Sequence, residues 1–383
     1  MGRGALSIVV VLGGLLGACG SRGASDVEIA ARSRAALHTY AEIAAAAYAD
    51  SVSGSHTLAK AVDHLLAAPS EESLSAARDA WLQARVPYAQ TEVFRFYDGP
   101  IDAVERTVNS WPIDENYVES DASGQLGLIE DSARYPVLSG ALLAQLNMTE
   151  GETSVSTGYH VVEFLLWGRD TNPDGPGQRS FRDFVDPGAA GAVARRRSYL
   201  QNATGLLVQQ LEQVARAWTG DYRARFLALP PRQALGLAIK GMGSLSGPEL
   251  SGERLSVAYE TKDQENEHSC FSDSTLADLT GDALGLQNVC LGRYRRVDGS
   301  SVQGTGICAA LQLMAAPLAA RLEAQTAAGV AALRAIPGPF DRAILGSDSA
   351  PGRKAVAAAI QALREQSDTL AEIAQALQVG LTP

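Results

Sequence analysis

The fold class is most clearly visible in residues 26–50, which read DVEIAARSRAALHTYAEIAAAAYAD. Alanine is the strongest helix former, and this stretch has few β-branched residues and neither Gly nor Pro. Similar Ala- and Leu-rich segments recur along the chain. The alternation of apolar and polar residues that marks a strand never persists beyond a few positions. We therefore expect an all-α protein.

The helix boundaries are predicted from the Gly, Pro and polar stretches that interrupt these segments. A chain of 383 residues exceeds what a single core usually holds. We therefore expect one large domain or two packed domains, with a break near residues 179–190 or 218–231. The predicted helices cover residues 26–50, 56–67, 71–96, 137–146, 153–167, 189–218, a segment opening at 232, 245–260, 275–284, 302–328 and 352–377.

The first 18 residues resemble a leader rather than part of the fold. Arg3 supplies a positive charge, and residues 5–18 are almost all apolar or Gly, over a length typical of a signal-peptide core. Small residues precede Cys19, as in a bacterial lipobox, where this Cys becomes the lipidated N-terminus. An ordinary signal peptide with an incidental Cys is the alternative. We expect a lipid-anchored protein of the cell envelope that faces the periplasm, with residues 19–25 as a tether.

Charge and cysteine content restrict the partners and the compartment. The net charge of −11 argues against nucleic acid as a partner. No apolar run after residue 18 is long and uninterrupted enough to suggest a membrane-spanning helix. An exported protein can form disulfides. At most one intramolecular bond can form among Cys270, Cys290 and Cys308, and the sequence does not select the pair.

The sharpest candidate for a metal site is the segment GYHVVEFLLWG at residues 158–168. His160 and Glu163 are three residues apart, so on a helix they share a face and can reach one ion. The neighbouring residues are apolar, which places both side chains close to the core. An ionisable group there is costly unless it is paired or bound to a metal. The alternative is that the two side chains hydrogen-bond each other or a neighbouring helix.

A second candidate is the segment QENEHSCFSD at residues 264–273. Glu265 and His268 have the reverse of the His-x-x-Glu spacing. Helical bundles that bind two metal ions combine Glu-x-x-His pairs with further Glu residues. The alternative interpretation is a polar turn in which Ser272 or Asp273 caps the next helix.

A third segment, WLQARVPYAQTEVFRFYDGPID at residues 81–102, adds a carboxylate and a guanidinium. Glu92 is a candidate third ligand, and Arg95 is a candidate partner for carboxylates or an anion. A surface ion pair between these two residues is the alternative. The sequence contains no His-Glu-x-x-His, Gly-x-Ser-x-Gly, Gly-x4-Gly-Lys or Cys-x-x-Cys-His motif. The usual zinc-protease, serine-hydrolase, phosphate-loop and attached-haem patterns are therefore missing.

Together the three segments resemble the imelysin-like family of exported bacterial proteins. Residues 158–168 match the family's Gly-x-His-x-x-Glu motif and the residues after it. Residues 267–273 match its Glu-His-Ser-Cys-Phe-Ser-Asp run, and residues 90–102 match a third family segment. There is one departure. The family run usually continues Asn-Thr-His, whereas this chain has Ser-Thr-Leu at residues 274–276, so any role of that later His is missing.

The resemblance implies two packed helical bundles with a site at their interface. We place them at residues 26–185, which include the His-x-x-Glu motif, and residues 186–383. It also implies a link to bacterial iron uptake, together with a peptidase label that comes from a founding member. The site residues expected on this basis are the metal ligands His160, Glu163, Glu92 and His268, the orienting groups Asp102, Ser272 and Asp273, and the charge-balancing Arg95.

Two functions follow from these expectations. The preferred one is a lipoprotein that binds a metal ion, iron before zinc, and captures or passes on iron at the envelope, with the membrane and an iron-uptake system as partners. The alternative is a metallopeptidase, which needs a general base beside a metal-bound water. With Glu163 used as a ligand, that base would be Glu92, Glu265 or Glu267, and none is strongly indicated, so no catalytic residue is assigned. A helical scaffold without metal is a third possibility.

Overall fold

The computed structural model describes residue 1 and residues 24–121, 124–172, 175–185 and 191–379. The predicted leader beyond its first residue, and the lipidation site Cys19, lie outside these described residues. The predicted boundary between the two bundles falls next to residues 186–190, which also lie outside them. Both the leader and the domain division therefore stay predictions.

Within the described ranges the chain is almost entirely helical, which confirms the predicted all-α class. A small antiparallel hairpin is added, with Arg293 paired to Gln303. The α-helices are α1 (Asp26–Ala67), α2 (Glu71–Ala89), α3 (Glu105–Val108), α4 (Glu115–Val118), α5 (Gly140–Leu146), α6 (Tyr159–Trp167), α7 (Ala192–Thr219), α8 (Asp221–Ala228), α9 (Pro231–Ser244), α10 (Val257–Thr261), α11 (Thr275–Leu291), α12 (Ile307–Arg334), α13 (Phe340–Ala343) and α14 (Pro351–Leu377). The 3₁₀ turns are Glu92–Phe94, Phe181–Phe184 and Gln264–Asn266, a π-helix spans Leu245–Ser256, and the strands are β1 (Arg293–Arg295) and β2 (Ser301–Gln303).

Helix α1 runs unbroken through a Ser- and Gly-containing stretch where the sequence predicted a gap. The hydroxyls of Ser51 and Ser55 donate to the carbonyls of Ala47 and Val52, so these polar groups are satisfied within the helix. Gly54 lies where a Cβ would come within 2.9 Å of the α2 backbone. Close packing against α2 therefore favours the helix over the break that the local composition suggested.

The helices pack around one continuous hydrophobic core. Helix α1 packs against α2 and α7, whereas α14 packs against α12, α9 and the π-helix, and α11 lies beside α12 and α2. Helix α1 also contacts α9 and α12, so it joins the two groups. Buried apolar residues from all of these helices form a single cluster. This arrangement is a helical bundle, as expected.

Helix α6 is shorter than predicted and is held between two glycines. It begins at Tyr159 rather than at residue 153, because Gly158 adopts a φ of 92° that a helix cannot continue. A Cβ at Gly158 would lie 2.6 Å from the carbonyl oxygen of Val108, so only glycine fits there. The predicted end at Trp167 is confirmed, and Gly168 follows with a φ of 74°.

Helix α11 lies unusually close to the end of α2. A Cβ at Gly281 would come within 2.6 Å of the Cβ of Ala89, and one at Gly285 within 2.6 Å of the carbonyl oxygen of Gln90. Two glycines one turn apart therefore allow the backbones of the two helices to approach directly. This contact fixes the distance between the polar residues of α11 and those of α2.

The disulfide joins Cys290 to Cys308 and closes a loop that contains the hairpin, while Cys270 is free. The hairpin is also tied to α1. Asp50 accepts hydrogen bonds from the hydroxyl of Tyr294 at 2.9 Å and from the guanidinium of Arg296 at 2.6 Å. These links anchor the one non-helical element of the described ranges to the core.

Helix α12 is, within the part of the chain that is described, long and apolar enough to cross a membrane by length and composition. The sequence predicted a helix here but no membrane span, because Pro317, Arg321 and Glu323 interrupt the apolar run. A core helix passes the same test. Helix α12 packs against α11 and α14, and its backbone departs from helical geometry at Ala315, close to Pro317.

Candidate functional site

Helix α6 directs His160 and Glu163 into the interior, where both are almost fully buried. Nδ1 of His160 lies 2.9 Å from Oε2 of Glu163, as the three-residue spacing on a helix allows. Nε2 of His160 is buried and has no hydrogen-bond partner among the described residues. The glutamate therefore holds one ring nitrogen and leaves the other available.

The second oxygen of Glu163 is occupied by Ser272. The backbone N–H and the hydroxyl of Ser272 donate to Oε1 of Glu163, at 2.9 and 2.7 Å. Burial raises the pKa of Glu163 to about 8, although the two hydrogen bonds from Ser272 oppose this rise. Ser272 thus joins the second candidate segment to the His-x-x-Glu motif.

His268 repeats the arrangement of His160 from the other segment. Its Nδ1 lies 3.2 Å from Oδ2 of Asp278, and its Nε2 is buried without a hydrogen-bond partner in the described chain. The two imidazole rings face each other at 70°, with centroids 4.6 Å apart. Burial lowers the pKa of both histidines well below the usual value, so both rings are neutral at pH 7. The site therefore contains two imidazoles side by side, each of which has an acidic side chain at its Nδ1.

Asp278 is held by charge as well as by hydrogen bonds. Arg85 of α2 donates to it through Nε at 3.0 Å, and Nη2 of the same guanidinium lies 2.9 Å from the second oxygen. The hydroxyl of Ser269 also donates to Asp278. The guanidinium carbon of Arg85 lies 4.9 Å from the ring centroid of Tyr159, and Nη1 donates to Asn109. His268 thus has a rigid support that reaches across to α2 and α6.

The sequence analysis missed Asp278, Arg85 and a second buried pair, Asp282 and Arg254. A signal for the acids was present. Asp278 and Asp282 are four residues apart in α11, where they are the only charged residues. Two acids on one face of such a helix require a partner from elsewhere in the fold. The partners could not be found, because their pairing depends on tertiary packing.

Glu92 is buried in an ion-pair cluster rather than lying in a surface pair. Its Oε2 accepts hydrogen bonds from Arg95 and from Arg254, which also binds Glu249 at 2.7 Å and Asp282 at 2.8 Å. Burial alone would raise the pKa of Glu92, but the two guanidiniums outweigh it and hold the pKa at about 2. Oε1 of Glu92 is buried and has no partner in the described chain.

Asp102 and Asp273, expected to orient site residues, lie in other settings. Asp102 accepts hydrogen bonds from the backbone N–H groups of residues 96, 97 and 99 and so shapes the loop after the 3₁₀ turn. Asp273 is half-buried, and burial with repulsion from Asp170 and Asp341 raises its pKa to about 6. In the described part of the chain, neither shares a hydrogen bond with the two histidines.

The fit of a metal ion depends on the two free imidazole nitrogens. A metal-bound His usually directs its other ring nitrogen at a carboxylate, as His160 and His268 both do. Across the described ranges, no group of three or more His, Cys, Asp or Glu side chains is arranged to hold a metal ion. The donor chemistry therefore fits a two-histidine site whose remaining ligands come from water or from the cargo. Glu163 stands behind His160 in this geometry.

A cleft of about 330 Å³ lies next to this site, and its walls include Asn109, Trp111 and Glu249 but neither histidine. The ring of Trp111 meets the ring of His268 edge-on, with centroids 5.2 Å apart. A larger groove of about 910 Å³ lies along the start of α1, but none of the predicted site residues lines it. The smaller cleft is therefore the one that borders the histidine pair, through Trp111.

The family model for imelysin matches residues 44–370. The chain belongs to the imelysin family. Iron-regulated protein A of Synechococcus elongatus is 27% identical over 342 residues, which cover 86% of this chain and 82% of that protein. The resemblance seen in the three sequence segments is therefore confirmed.

Two solved imelysin-like structures share the fold. An iron-regulated protein A precursor from Parabacteroides distasonis gives a TM-score of 0.71 at 18% identity, covering 94% of this chain and 97% of that one. An imelysin-like protein from Psychrobacter arcticum gives a TM-score of 0.60 at 15% identity, covering 92% of this chain and 98% of that one. At these identities the likeness concerns the fold alone.

Proposed function

We propose that this imelysin-family protein binds a transition-metal ion, iron first and zinc second, between His160 and His268. The observation that carries the proposal is the pair of buried Nε2 atoms, both without a partner in the described chain, on rings 4.6 Å apart. Buried polar atoms in native proteins are nearly always satisfied. An ion bound to both nitrogens would satisfy them together.

In this proposal Glu163 orients His160 instead of binding the ion directly, and Asp278 does the same for His268. Such carboxylates fix the ring orientation and increase the basicity of the nitrogen that faces the metal. The remaining ligands would be water or groups carried by the cargo. Glu92 stays a candidate third ligand, because its Oε1 lacks a partner and its charge acts on His268.

Iron is preferred because both donor chemistry and kinship favour it. Imidazole with carboxylate support suits Fe, Zn and Mn, and the Synechococcus relative is named for iron regulation. We propose that the protein captures or passes on iron at the cell envelope, anchored through lipid on Cys19 and facing the periplasm, beside an iron-uptake system. Co²⁺ is a convenient probe of the same nitrogens, because its visible spectrum reports their number.

Metal analysis of chelator-stripped and reloaded protein tests the proposal. Wild type should retain stoichiometric metal, and His160→Ala or His268→Ala should lose it with unchanged helical content. His56→Ala is the matched control, because this exposed His also pairs with a carboxylate, Glu212, at 2.9 Å. Equal loading of wild type and both site variants would contradict the proposal.

Metallopeptidase activity is the second candidate, because the family model carries a peptidase label. A general base must stand near the metal-bound water. Glu163 is engaged by His160 and Ser272, whereas Glu92 and Glu267 each have a buried Oε1 without a partner in the described chain, so these two are the candidate bases. Metal-loaded wild type should then cut a broad peptide library, and Glu92→Gln or Glu267→Gln should abolish the cleavage. Cleavage that is equal in both variants would point to a contaminating protease.

A further inference from the structure

We infer that the cleft beside Trp111 is the entrance to the histidine pair, and that it admits a small hydrated cation and rejects anionic metal chelates. We call it the acidic cleft. The inference rests on the proposed function and specifies the form in which the metal arrives. The walls of the acidic cleft include Arg95, Glu105, Asn109, Trp111, Glu249 and Glu253.

The position of the acidic cleft supports its role as the entrance. Trp111 forms part of its wall and touches the edge of His268, so one side chain separates the cleft from the ring. Asn109 forms another part of the wall and accepts a hydrogen bond from Arg85, which holds Asp278 behind His268. The Nδ2 of Asn109 is buried without a partner in the described chain, so a polar group is available where water or an aquo ion would pass.

The charge of the acidic cleft favours cations. Its charged lining consists of four carboxylates and two guanidiniums, namely Glu105, Glu152, Glu249, Glu253, Arg95 and Arg106. Arg95 is paired with Glu92 and Glu105 and lies 3.6 Å from Glu249, which Arg254 also contacts, so Arg95, Glu105 and Glu249 largely neutralise one another. The lining still carries two more acids than bases, and Glu152 and Glu253 are exposed at its rim. A negatively charged cleft concentrates cations and accelerates their association. Anionic chelates of the same metal would be repelled.

The size of the acidic cleft is sufficient for a hydrated ion. At about 330 Å³ it lies within the 300–1,000 Å³ that small-molecule sites usually span. An ion with its water shell fits such a space, so the rejection of anionic chelates rests on charge. The ion would then exchange some of its waters for the two Nε2 atoms. No covalent chemistry is required of the protein in this step.

Stopped-flow loading of Co²⁺, followed by its visible absorbance, tests the inference. The variant is Glu152→Gln with Glu253→Gln, two exposed acids at the rim of the acidic cleft. The control is Glu323→Gln with Glu365→Gln, which removes equal charge from exposed positions on α12 and α14. At about 20 mM salt the rim variant should load about three- to tenfold more slowly than wild type, and the control should match wild type. At about 0.5 M salt the difference should disappear, because screening shortens the range of the charges.

Two further arms give steric and chemical evidence. Thr153→Trp places a bulky ring at an exposed position of the rim and should slow loading at every salt concentration. Ferric citrate, an anionic chelate, should show no saturable binding under conditions where Co²⁺ binds. Saturable, His160-dependent binding of ferric citrate, or equal Co²⁺ loading rates in wild type, the rim variant and Thr153→Trp, would overturn the inference while leaving the metal site intact. Absence of Co²⁺ binding in wild type would instead overturn the proposed function.

Discussion

Replacement of Arg254 by methionine tests the buried ion cluster through protein stability, without a metal-binding measurement. The guanidinium of Arg254 contacts Glu92 at 2.6 Å, Glu249 at 2.7 Å and Asp282 at 2.8 Å. In the variant, Arg95 still neutralises Glu92 and lies near Glu249, whereas Asp282 loses the cation that it contacts. Asp282 is fully buried, and burial raises its pKa even in the wild type, where Arg254 opposes the rise; without Arg254 it must take up a proton or stay charged without a partner.

The magnitude follows from these two routes. Removing one partner of a buried pair typically costs about 3–5 kcal/mol. Keeping an ordinary aspartate protonated at pH 7 costs about 4 kcal/mol, at about 1.4 kcal/mol for each pH unit above its usual pKa. The same reasoning gives only about 1.5 kcal/mol at pH 5. In wild type Glu92, with a pKa of about 2, keeps its stabilising charge throughout this range.

The assay is urea unfolding followed by circular dichroism at pH 7 and pH 5. We expect Arg254→Met to lower the free energy of unfolding by about 4 kcal/mol at pH 7 and clearly less at pH 5. The control is Arg321→Met, which breaks an exposed pair with Glu372 and should cost less than about 1 kcal/mol at either pH. A loss below about 1 kcal/mol for Arg254→Met, or one that does not change with pH, would refute the reasoning.

Three further outcomes are expected. Reduction of the bond between Cys290 and Cys308, 18 residues apart, should lower stability by about 3 kcal/mol in a denaturant titration, and Cys270→Ala should leave this response to reductant unchanged. Asp273→Asn should stabilise the protein by about 1 kcal/mol at pH 8 and should have no effect below pH 4 in thermal melts. The pKa of Asp273 is about 6 in the native state and lower in the unfolded state, so the wild type loses stability as pH rises from the unfolded pKa to the native one. Because Asp273 is partly exposed, the expected gain is smaller than the full pKa shift implies. Ser272→Ala should weaken Co²⁺ binding about tenfold by calorimetry, and an unchanged affinity would show that Glu163 needs no support.

The sequence was sufficient to predict the helical class, because helix propensity and the helix-breaking residues Gly and Pro act locally. The end of α6 at Trp167 could be predicted because Gly168 follows it. Both Gly168 and Gly158, which precedes the helix, adopt a positive φ that interrupts helical geometry. Three distant segments were also expected to meet, and Ser272 does bind Glu163. That expectation came from the family resemblance, since spacing alone could not connect residues more than a hundred positions apart.

Features that depend on tertiary packing could not be predicted from the sequence. The π-helix at residues 245–256 lies in a segment that was predicted as an ordinary helix, and its wider turn brings Glu249 and Arg254, five residues apart, into contact. The ligand role of Glu163 stays a prediction. On a helix the spacing allows either a shared ion or a direct hydrogen bond, and the structure contains the hydrogen bond to His160.

The glycines at positions 281 and 285 separate two properties of this molecule: the stability of the helical bundle and the alignment of the residues around the histidine pair. A methyl group at either position would push α11 away from α2 and carry Asp278 and Asp282 with it. The rest of the bundle would still have its core, while His268 would lose the alignment that Asp278 supplies. A relative could thus lose the arrangement of the two histidines through one substitution of a glycine by a larger residue. All polar side chains of the site, and all the motifs that contain them, would still be present in its sequence.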